Sequence, residues 1–231
     1  KRGKIVAIGG YHATALPEEA AKHADIVVVG EAEGLWPQIL FELEQGGTQH
    51  TFYQNEALID MRDMVIPRRE LLNRDMYTVL NTIQATRGWP FNCEYCSVTK
   101  FFGRDFRCRP VAEVVAEIAS QPGKRWMFLD DNLIGHDKYA KELFRALIPL
   151  GINWGAQVSF ALAKDAELMD LYAQAGGEFA FIGFESLSAK ALKSVRKGSN
   201  RPEEYALGIR QLQRRGITIM GSFMFGRDGD D

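Results

Sequence analysis

The chain has 231 residues, 46% of them hydrophobic, enough apolar material for a real core, which excludes a disordered chain. Its 28 Lys and Arg stand against 30 Asp and Glu, a net charge of −2, so no bulk positive field points to a nucleic-acid partner. The longest apolar runs, Ile26 to Val29 and Phe179 to Gly183, fall far short of the roughly 20 residues that span a bilayer. The first four residues, Lys1-Arg2-Gly3-Lys4, lead straight into Ile5-Val6-Ala7-Ile8, without the long apolar stretch and cleavage site of a signal peptide, so the expected compartment is the cytoplasm. Three cysteines do not suggest a disulfide framework; metal or cluster chemistry is the sharper idea for the two in Cys93-Glu94-Tyr95-Cys96.

The first 46 residues predict strand, turn and helix, twice. Lys4 to Ile8 reads as a strand, Gly9-Gly10 as a turn and Pro17 to Ala24 as a short helix. Asp25 to Val29 reads as a buried strand, Gly30 to Gly34 as a turn, and Trp36, Ile39, Leu40 and Leu43 fall on one face of a helix that stops at Gly46-Gly47. Residues 48–77 are polar, show no sustained period and are read as a connector. Strands then follow near Thr78 to Thr86, Trp126 to Leu129, Trp154 to Phe160, Phe179 to Phe184 and Ile217 to Phe225. Between them lie a helix from Val111 behind Pro110, one carrying Leu143, Phe144, Leu147 and Leu150, one over Ala166 to Ala175 ending at Gly176-Gly177, and one over Pro202 to Arg215. Five strands separated by helix-length segments imply a parallel sheet with right-handed crossovers. The sequence opens directly on a strand and closes in Asp228-Gly229-Asp230-Asp231, so earlier units of the first sheet and a last unit of the second are expected to lie outside this stretch.

The loop after the first strand of the second region, Ala85 to Ser97, holds the cysteine pair. Thiolates are the usual ligands of iron–sulfur clusters, and two of them three residues apart can grip neighbouring irons; zinc sites and redox dithiols use the same spacing. Loops at the C-terminal strand ends of parallel α/β barrels are where function sits. With Arg87-Gly88-Trp89-Pro90-Phe91-Asn92 before the cysteines and Ser97-Val98-Thr99-Lys100-Phe101-Phe102-Gly103-Arg104 after them, the stretch resembles the signature of the radical S-adenosylmethionine (radical SAM) proteins. That signature has three cysteines at CxxxCxxC spacing. Cys93 and Cys96 match the second and third, Tyr95 lies between them, and Trp89 stands where the first would be. The chain is similar to the cobalamin-binding-domain subgroup related to hopanoid and bacteriochlorophyll biosynthesis enzymes.

The resemblance implies an α/β fold: the C-terminal part of a Rossmann-like cobalamin-binding domain over residues 1–47, a connector over 48–77, and an incomplete parallel (β/α) radical SAM barrel over 78–231. It implies an enzyme that cleaves S-adenosylmethionine with a 4Fe-4S cluster and uses cobalamin to modify a small molecule of unknown identity, lipid or tetrapyrrole-like. An electron donor such as flavodoxin or ferredoxin would serve it. Cys93 and Cys96 would hold the cluster; Tyr95, Asp130, Asp131, Gln157, Glu185 and Ser222 would contact S-adenosylmethionine; Gly9, Gly10, Gly30 and Glu31 would approach cobalamin.

Read as residues alone, several of these positions have a second meaning. Asp130-Asp131-Asn132 can cap the helix that follows, Gln157 and Ser159 share a strand face and can satisfy buried groups, and glycines after strands suit any α/β turn. Arg104, Arg107 and Arg109 can meet an anionic substrate or form a solvated loop face. His12 is not expected to ligate cobalt, because in related domains that ligand sits on an earlier loop. Indole offers iron no lone pair, so a cluster-deficient relative that binds cobalamin or S-adenosylmethionine without radical catalysis is an alternative. A zinc-binding structural module using Cys93, Cys96 and Cys108 is another, although no histidine stands nearby as a fourth ligand; Cys108 otherwise reads as a small buried residue.

Overall fold

In the computed structural model, which describes residues 3–226 apart from 56, 80 and 92, the chain lays down two parallel sheets in succession. The first contains β1 (Ala7–Ile8), β2 (Ile26–Val29) and β3 (Phe52–Gln54) in that order, with Ala7 opposite Ile26 and Val27 opposite Phe52. The run Ile26-Val27-Val28-Val29 forms a strand because it is buried on both faces, and the pleat divides it. Ile26 and Val28 pack with Tyr53 and with Leu35 and Ile39 of α3 (Leu35–Glu44), whereas Val27 packs on Ala13 and Ala20 of α1 (Tyr11–Ala15) and α2 (Pro17–Ala20). The predicted helix over Pro17 to Ala24 is only its first turn, and α1 before it carried no sequence signal. β3 lies inside the segment read as a connector: three residues are too few to show a period, and the strand is fixed by pairing with β2. Short 3₁₀ turns at Met61–Asp63, Arg69–Leu71 and Arg74–Met76 follow.

The second sheet has five parallel strands in the order β10-β9-β8-β7-β4: β4 (Thr82–Ile83), β7 (Arg125–Phe128), β8 (Asn153–Val158), β9 (Gly177–Glu185) and β10 (Thr218–Phe223). Spatial order thus follows chain order. The strand predicted over Thr78 to Thr86 divides in two, β4 joining the sheet and β5 (Thr86–Arg87) pairing antiparallel with β6 (Arg107–Cys108). This hairpin ties together the two ends of the cysteine loop, which also contains the short helix α4 (Val98–Phe102). Asn92 in the loop and the terminal Asp228 to Asp231 lie outside the described residues.

Helices α5 (Val111–Ser120), α6 (Asp137–Leu147), α7 (Ala166–Gln174) and α9 (Pro202–Gln213) pack apolar residues against this sheet, and the short α8 (Ala189–Ser194) follows β9. In α6, Ala140, Leu143, Phe144 and Leu147 recur at the i, i+3, i+4, i+7 spacing of one helix face, and all are buried. They meet Phe128, Trp154 and Tyr172, whose rings pack at 4.4 Å (Trp154 to Tyr172) and 5.1 Å (Phe128 to Trp154); the Trp154 indole N–H donates to the Ala175 carbonyl at 2.7 Å. The N-cap of α6 is His136, whose Nδ1 accepts from the Tyr139 amide at 3.2 Å, so the helix-cap reading of Asp130 to Asn132 does not hold. On the other side of the sheet the alternating residues Met127, Gln157, Phe181 and Met220 point away from the helices, and Met220 is more than half exposed.

Candidate functional site at the strand ends

A cavity of about 400 Å³ opens over that second face at the C-terminal ends of β8, β9 and β10, a volume within the roughly 300–1,000 Å³ of small-molecule sites. It is lined by Trp89, Cys93, Tyr95 and Cys96 from the cysteine loop, Asp131 after β7, Gln157 and Ser159 from β8 and its end, Glu185 from the end of β9, Lys197 and Asn200 after α8, and Ser222 on β10. Of the residues assigned by resemblance to the cluster and to S-adenosylmethionine, all but Asp130 line it. Asn200, Lys197 and Arg196 were not foreseen; their signal was the turn-rich Lys197-Gly198-Ser199-Asn200, which follows a helix too short to show a period.

The cysteine loop enters the cavity through a fixed backbone. At Gly88, φ is +97°, and a Cβ there would sit 2.1 Å from the Asp105 carbonyl, so only glycine fits. The Trp89 amide donates to the Gly103 carbonyl at 3.2 Å. Further on, the Cys96 amide donates to the Cys93 carbonyl at 3.1 Å, a turn that leaves both thiols on the cavity, and the Glu94 amide reaches Val195 at 3.3 Å behind α8. Cys93 is buried and Cys96 half-buried.

Glu185 ends β9 in the left-handed region, at φ +71°; Arg196, at +59°, is its counterpart among the described non-glycine residues, and both line the cavity. Such strain is held only where surrounding structure enforces it, and it concentrates at functional sites. Here the Lys197 ammonium donates to the Glu185 carboxylate at 2.5 Å. A Cβ on Gly183 would lie 2.3 Å from that carboxylate, so the glycine makes room for the pair. Burial pushes the Tyr95 phenol well above its ordinary value, reinforced by the charges of Glu185 and Cys93 and hydrogen bonds to both. Burial also raises the Cys93 thiol, more than the Lys197 charge lowers it, and raises the Asp131 carboxyl, which Arg87 partly offsets.

Asp130 does not line this cavity. It is 1% exposed and accepts from the Ala85 amide at 3.1 Å, the Thr86 amide at 2.5 Å and the Thr86 hydroxyl at 2.6 Å, fastening the start of the cysteine loop to the end of β7. Burial pushes its carboxyl up to about 7 against these hydrogen bonds. Cys108 stands near it on β6, its thiol pushed up to about 11 by burial and by the Asp130 charge, and it does not line the cavity with the other two cysteines. Among the described residues, no cluster of three or more His, Cys, Asp or Glu side chains could hold a metal ion, which removes the support for a zinc module.

The residues assigned to cobalamin lie elsewhere. Gly9 and Gly10 follow β1, and the Gly30 amide after β2 donates to the Thr14 hydroxyl at 2.9 Å. Glu31 is 5% exposed and saturated: Arg107 donates to both its oxygens at 2.8 and 3.0 Å, Arg87 to one at 3.3 Å and the Ile59 amide to the other at 2.9 Å. Burial pushes its carboxyl up, but these hydrogen bonds and the Arg107 and Arg87 charges outweigh it and hold it below the ordinary value. Arg87 also binds Glu33 at 2.6 Å, and Arg109 binds Glu117 at 2.7 Å. Arg107 and Arg109 are therefore internal anchors, neither a solvated face nor a visible anion site. His12 pairs with Glu19 at 2.5 Å on the exposed surface. Tyr11 stacks on Phe101 with ring centroids 4.3 Å apart, which brings the loop after β1 against the cysteine loop.

The sequence pattern of the Radical SAM superfamily matches residues 83–231. The chain is 35% identical to a bacteriochlorophyllide d C-12(1)-methyltransferase of Chlorobaculum tepidum, over 99% of this chain and 52% of that protein. It is 29% identical to a hopanoid C-2 methylase of Rhodopseudomonas palustris, over 97% of this chain and 45% of that protein. It therefore spans about half the length of these relatives. Among solved structures it matches the radical S-adenosylmethionine methyltransferase TsrM from Kitasatospora setae, with cobalamin and a 4Fe-4S cluster bound, at a TM-score of 0.78 and 18% identity, covering 97% of this chain and 52% of that one. It matches the cobalamin-dependent S-adenosylmethionine radical enzyme OxsB at a TM-score of 0.74 and 15% identity, covering 95% and 36%. At these identities the structural likeness is one of fold.

Proposed function

Because the chain belongs to the radical SAM superfamily, we propose that its cavity binds S-adenosylmethionine and that the protein modifies a small-molecule substrate, methyl transfer being the reaction for which its relatives are named. What carries the reading is convergence: Cys93, Tyr95, Cys96, Asp131, Gln157, Glu185 and Ser222, spread over 130 residues of sequence, line one cavity. In this reading Asp131 accepts from the methionyl ammonium, Glu185 accepts from a ribose hydroxyl, Gln157 and Ser222 supply an amide and a hydroxyl, and Arg196 meets the methionyl carboxylate. Asp130 acts from behind, holding the loop without touching the ligand.

Cys93 and Cys96 are the thiolates that a 4Fe-4S cluster would use, but the donor set does not fit the three-thiolate cradle. Trp89 occupies the place of the first cysteine, and Cys108 stands by Asp130 instead of on the cavity. Cluster-dependent cleavage of S-adenosylmethionine, with flavodoxin or ferredoxin as electron donor, is therefore expected of the chain with Cys at position 89. A reducing cytoplasm suits free thiols at Cys93 and Cys96. The N-terminal sheet is assigned to the cobalamin module, with residues 1–47 as its C-terminal part, 48–77 as connector and 78–231 as barrel. Gly10 and Gly30, at φ +91° and +79°, have open space where a Cβ would stand, which permits close backbone approach by a cofactor. Glu31, already saturated, would shape that loop from beneath.

Anaerobic reconstitution with iron and sulfide, followed by metal analysis and electron paramagnetic resonance, tests the reading on this chain and its Trp89→Cys variant. The variant is expected to hold about four irons and to shift its reduced spectrum on adding S-adenosylmethionine, while the native chain holds fewer. A variant that takes up neither cluster nor ligand would refute the assignment of the cavity.

A further inference from the structure

The mismatch at position 89 has a chemical meaning of its own. Trp89 lines the cavity beside both cysteines, and its backbone is set by the left-handed Gly88 and the hydrogen bond to Gly103. Its Nε1 is sealed from solvent and has no hydrogen-bond partner among the described residues. Since the side chain as a whole is half-buried and borders the cavity, what it presents there is ring carbon, not a donor. Phe91 packs edge-on to it, with ring centroids 5.4 Å apart at 65°. Tyr95 and, from β9, Phe181 border the same space.

The charges around this aromatic wall are largely spoken for. Lys197 is paired with Glu185 at 2.5 Å and Lys164 with Glu204 at 2.6 Å. Asp131, which also lines the cavity, is assigned above to the methionyl ammonium. What remains for a cation with little capacity to donate hydrogen bonds is the π-face of the rings, the mode by which aromatic cages hold sulfonium-like and quaternary ammonium groups.

We propose that Trp89, backed by Phe91, receives the sulfonium of S-adenosylmethionine by a cation–π contact in the place where the first cysteine would ligate iron, so that this chain binds the ligand intact without a cluster. The proposal rests on the assignment of the cavity to S-adenosylmethionine and adds the group that recognises the charge. No bond is made or broken.

Metal-free protein, prepared with a chelator, is titrated calorimetrically with S-adenosylmethionine and with S-adenosylhomocysteine, which lacks only the methyl group and the positive charge. The native chain is expected to prefer the charged ligand about tenfold. Trp89→Leu is expected to lose that preference while still binding S-adenosylhomocysteine, and Trp89→Phe to keep part of it. Equal binding of the two ligands by the native chain overturns the cation–π contact and leaves the cavity assignment standing; failure to bind either overturns both. Should Trp89→Leu bind neither ligand, the Phe variant decides: a preference equal to the native one refutes an indole-specific contact, and a reduced one upholds it.

Discussion

The two sheets solve the same packing problem with different means. The five-stranded sheet is held by a continuous apolar layer in which Trp154, Phe144, Tyr172 and Phe128 interlock, and most of its helices present apolar faces to it. Among the described residues the three-stranded sheet has two small clusters, leaves Ile5, Phe41 and Leu40 substantially exposed, and meets the cysteine loop through the Tyr11–Phe101 stack and a largely buried ionic knot: Glu31 and Glu33 against Arg87 and Arg107. An apolar core tolerates small shifts of its members; an ionic knot depends on geometry, because each buried charge is costly once its partner moves. The larger sheet is thus the rigid platform, and the knot sets where the smaller one sits on the cysteine loop.

The contrast can be broken most forcefully from the core. Trp154→Ala is expected to cost about 3–5 kcal/mol, lost equally from both sheets in a urea unfolding curve; unfolding of one sheet alone would show that they are not coupled. Glu31→Gln should cost about 3 kcal/mol, but hydrogen exchange should rise mainly in β1 to β3 and the cysteine loop while β7 to β9 stay protected. Glu31 titrates below 4.5 in the fold, so its contribution is present above that value and disappears as pH falls through its depressed folded value; the native N-terminal sheet should loosen there first.

Asp130 gives an effect of opposite sign. With its carboxyl at about 7 in the fold against an ordinary 3.8, the folded chain binds a proton that the unfolded chain has lost, so stability should fall as pH rises from about 4 to about 7. Asp130→Asn should flatten that slope, measured as melting temperature against pH; an unchanged slope would place its origin elsewhere. Smallest is the exposed pair of Arg145 and Glu167, 2.5 Å apart. Arg145→Ala should change stability by about 0.5 kcal/mol or less in the same urea assay, and a larger loss would mean that surface pairs support the platform too.

How far these features could be read in advance follows the range of the interactions behind them. The five strands and the α5, α6, α7 and α9 helices were legible because their apolar residues repeat at helix or strand spacing, as in Val111, Val114, Val115 and Ile118. The short elements were not: α1, α4 and α8, of five or six residues, are too short to show a helical period, and β3 is fixed by pairing with β2. The cavity was legible through its motif and through polar residues at strand ends. Its unforeseen members include Lys197, placed by an ion pair to Glu185 twelve residues earlier, Asn200, whose amide donates to the Gly183 and Phe184 carbonyls, and Arg196, in the left-handed region. Asp130 was read as a ligand because a carboxylate after a strand looks the same in sequence whether it faces the cavity or, as here, the amides of a neighbouring loop. Arg107 and Arg109 were ambiguous for the same reason: a charged side chain announces its charge and not its partner.

The strand order of the larger sheet bears on how the protein is made. Because β4, β7, β8, β9 and β10 lie side by side in the order in which they are synthesised, each unit emerging from the ribosome finds its docking edge already in place, and none has to be inserted between earlier ones. The apolar platform takes its last members, Tyr205, Leu212 and Ile217, from the segment after β9, and Ser222 arrives later still, on β10. A nascent chain stalled before residue 218 would therefore have its apolar platform yet lack the Ser222 wall of the cavity.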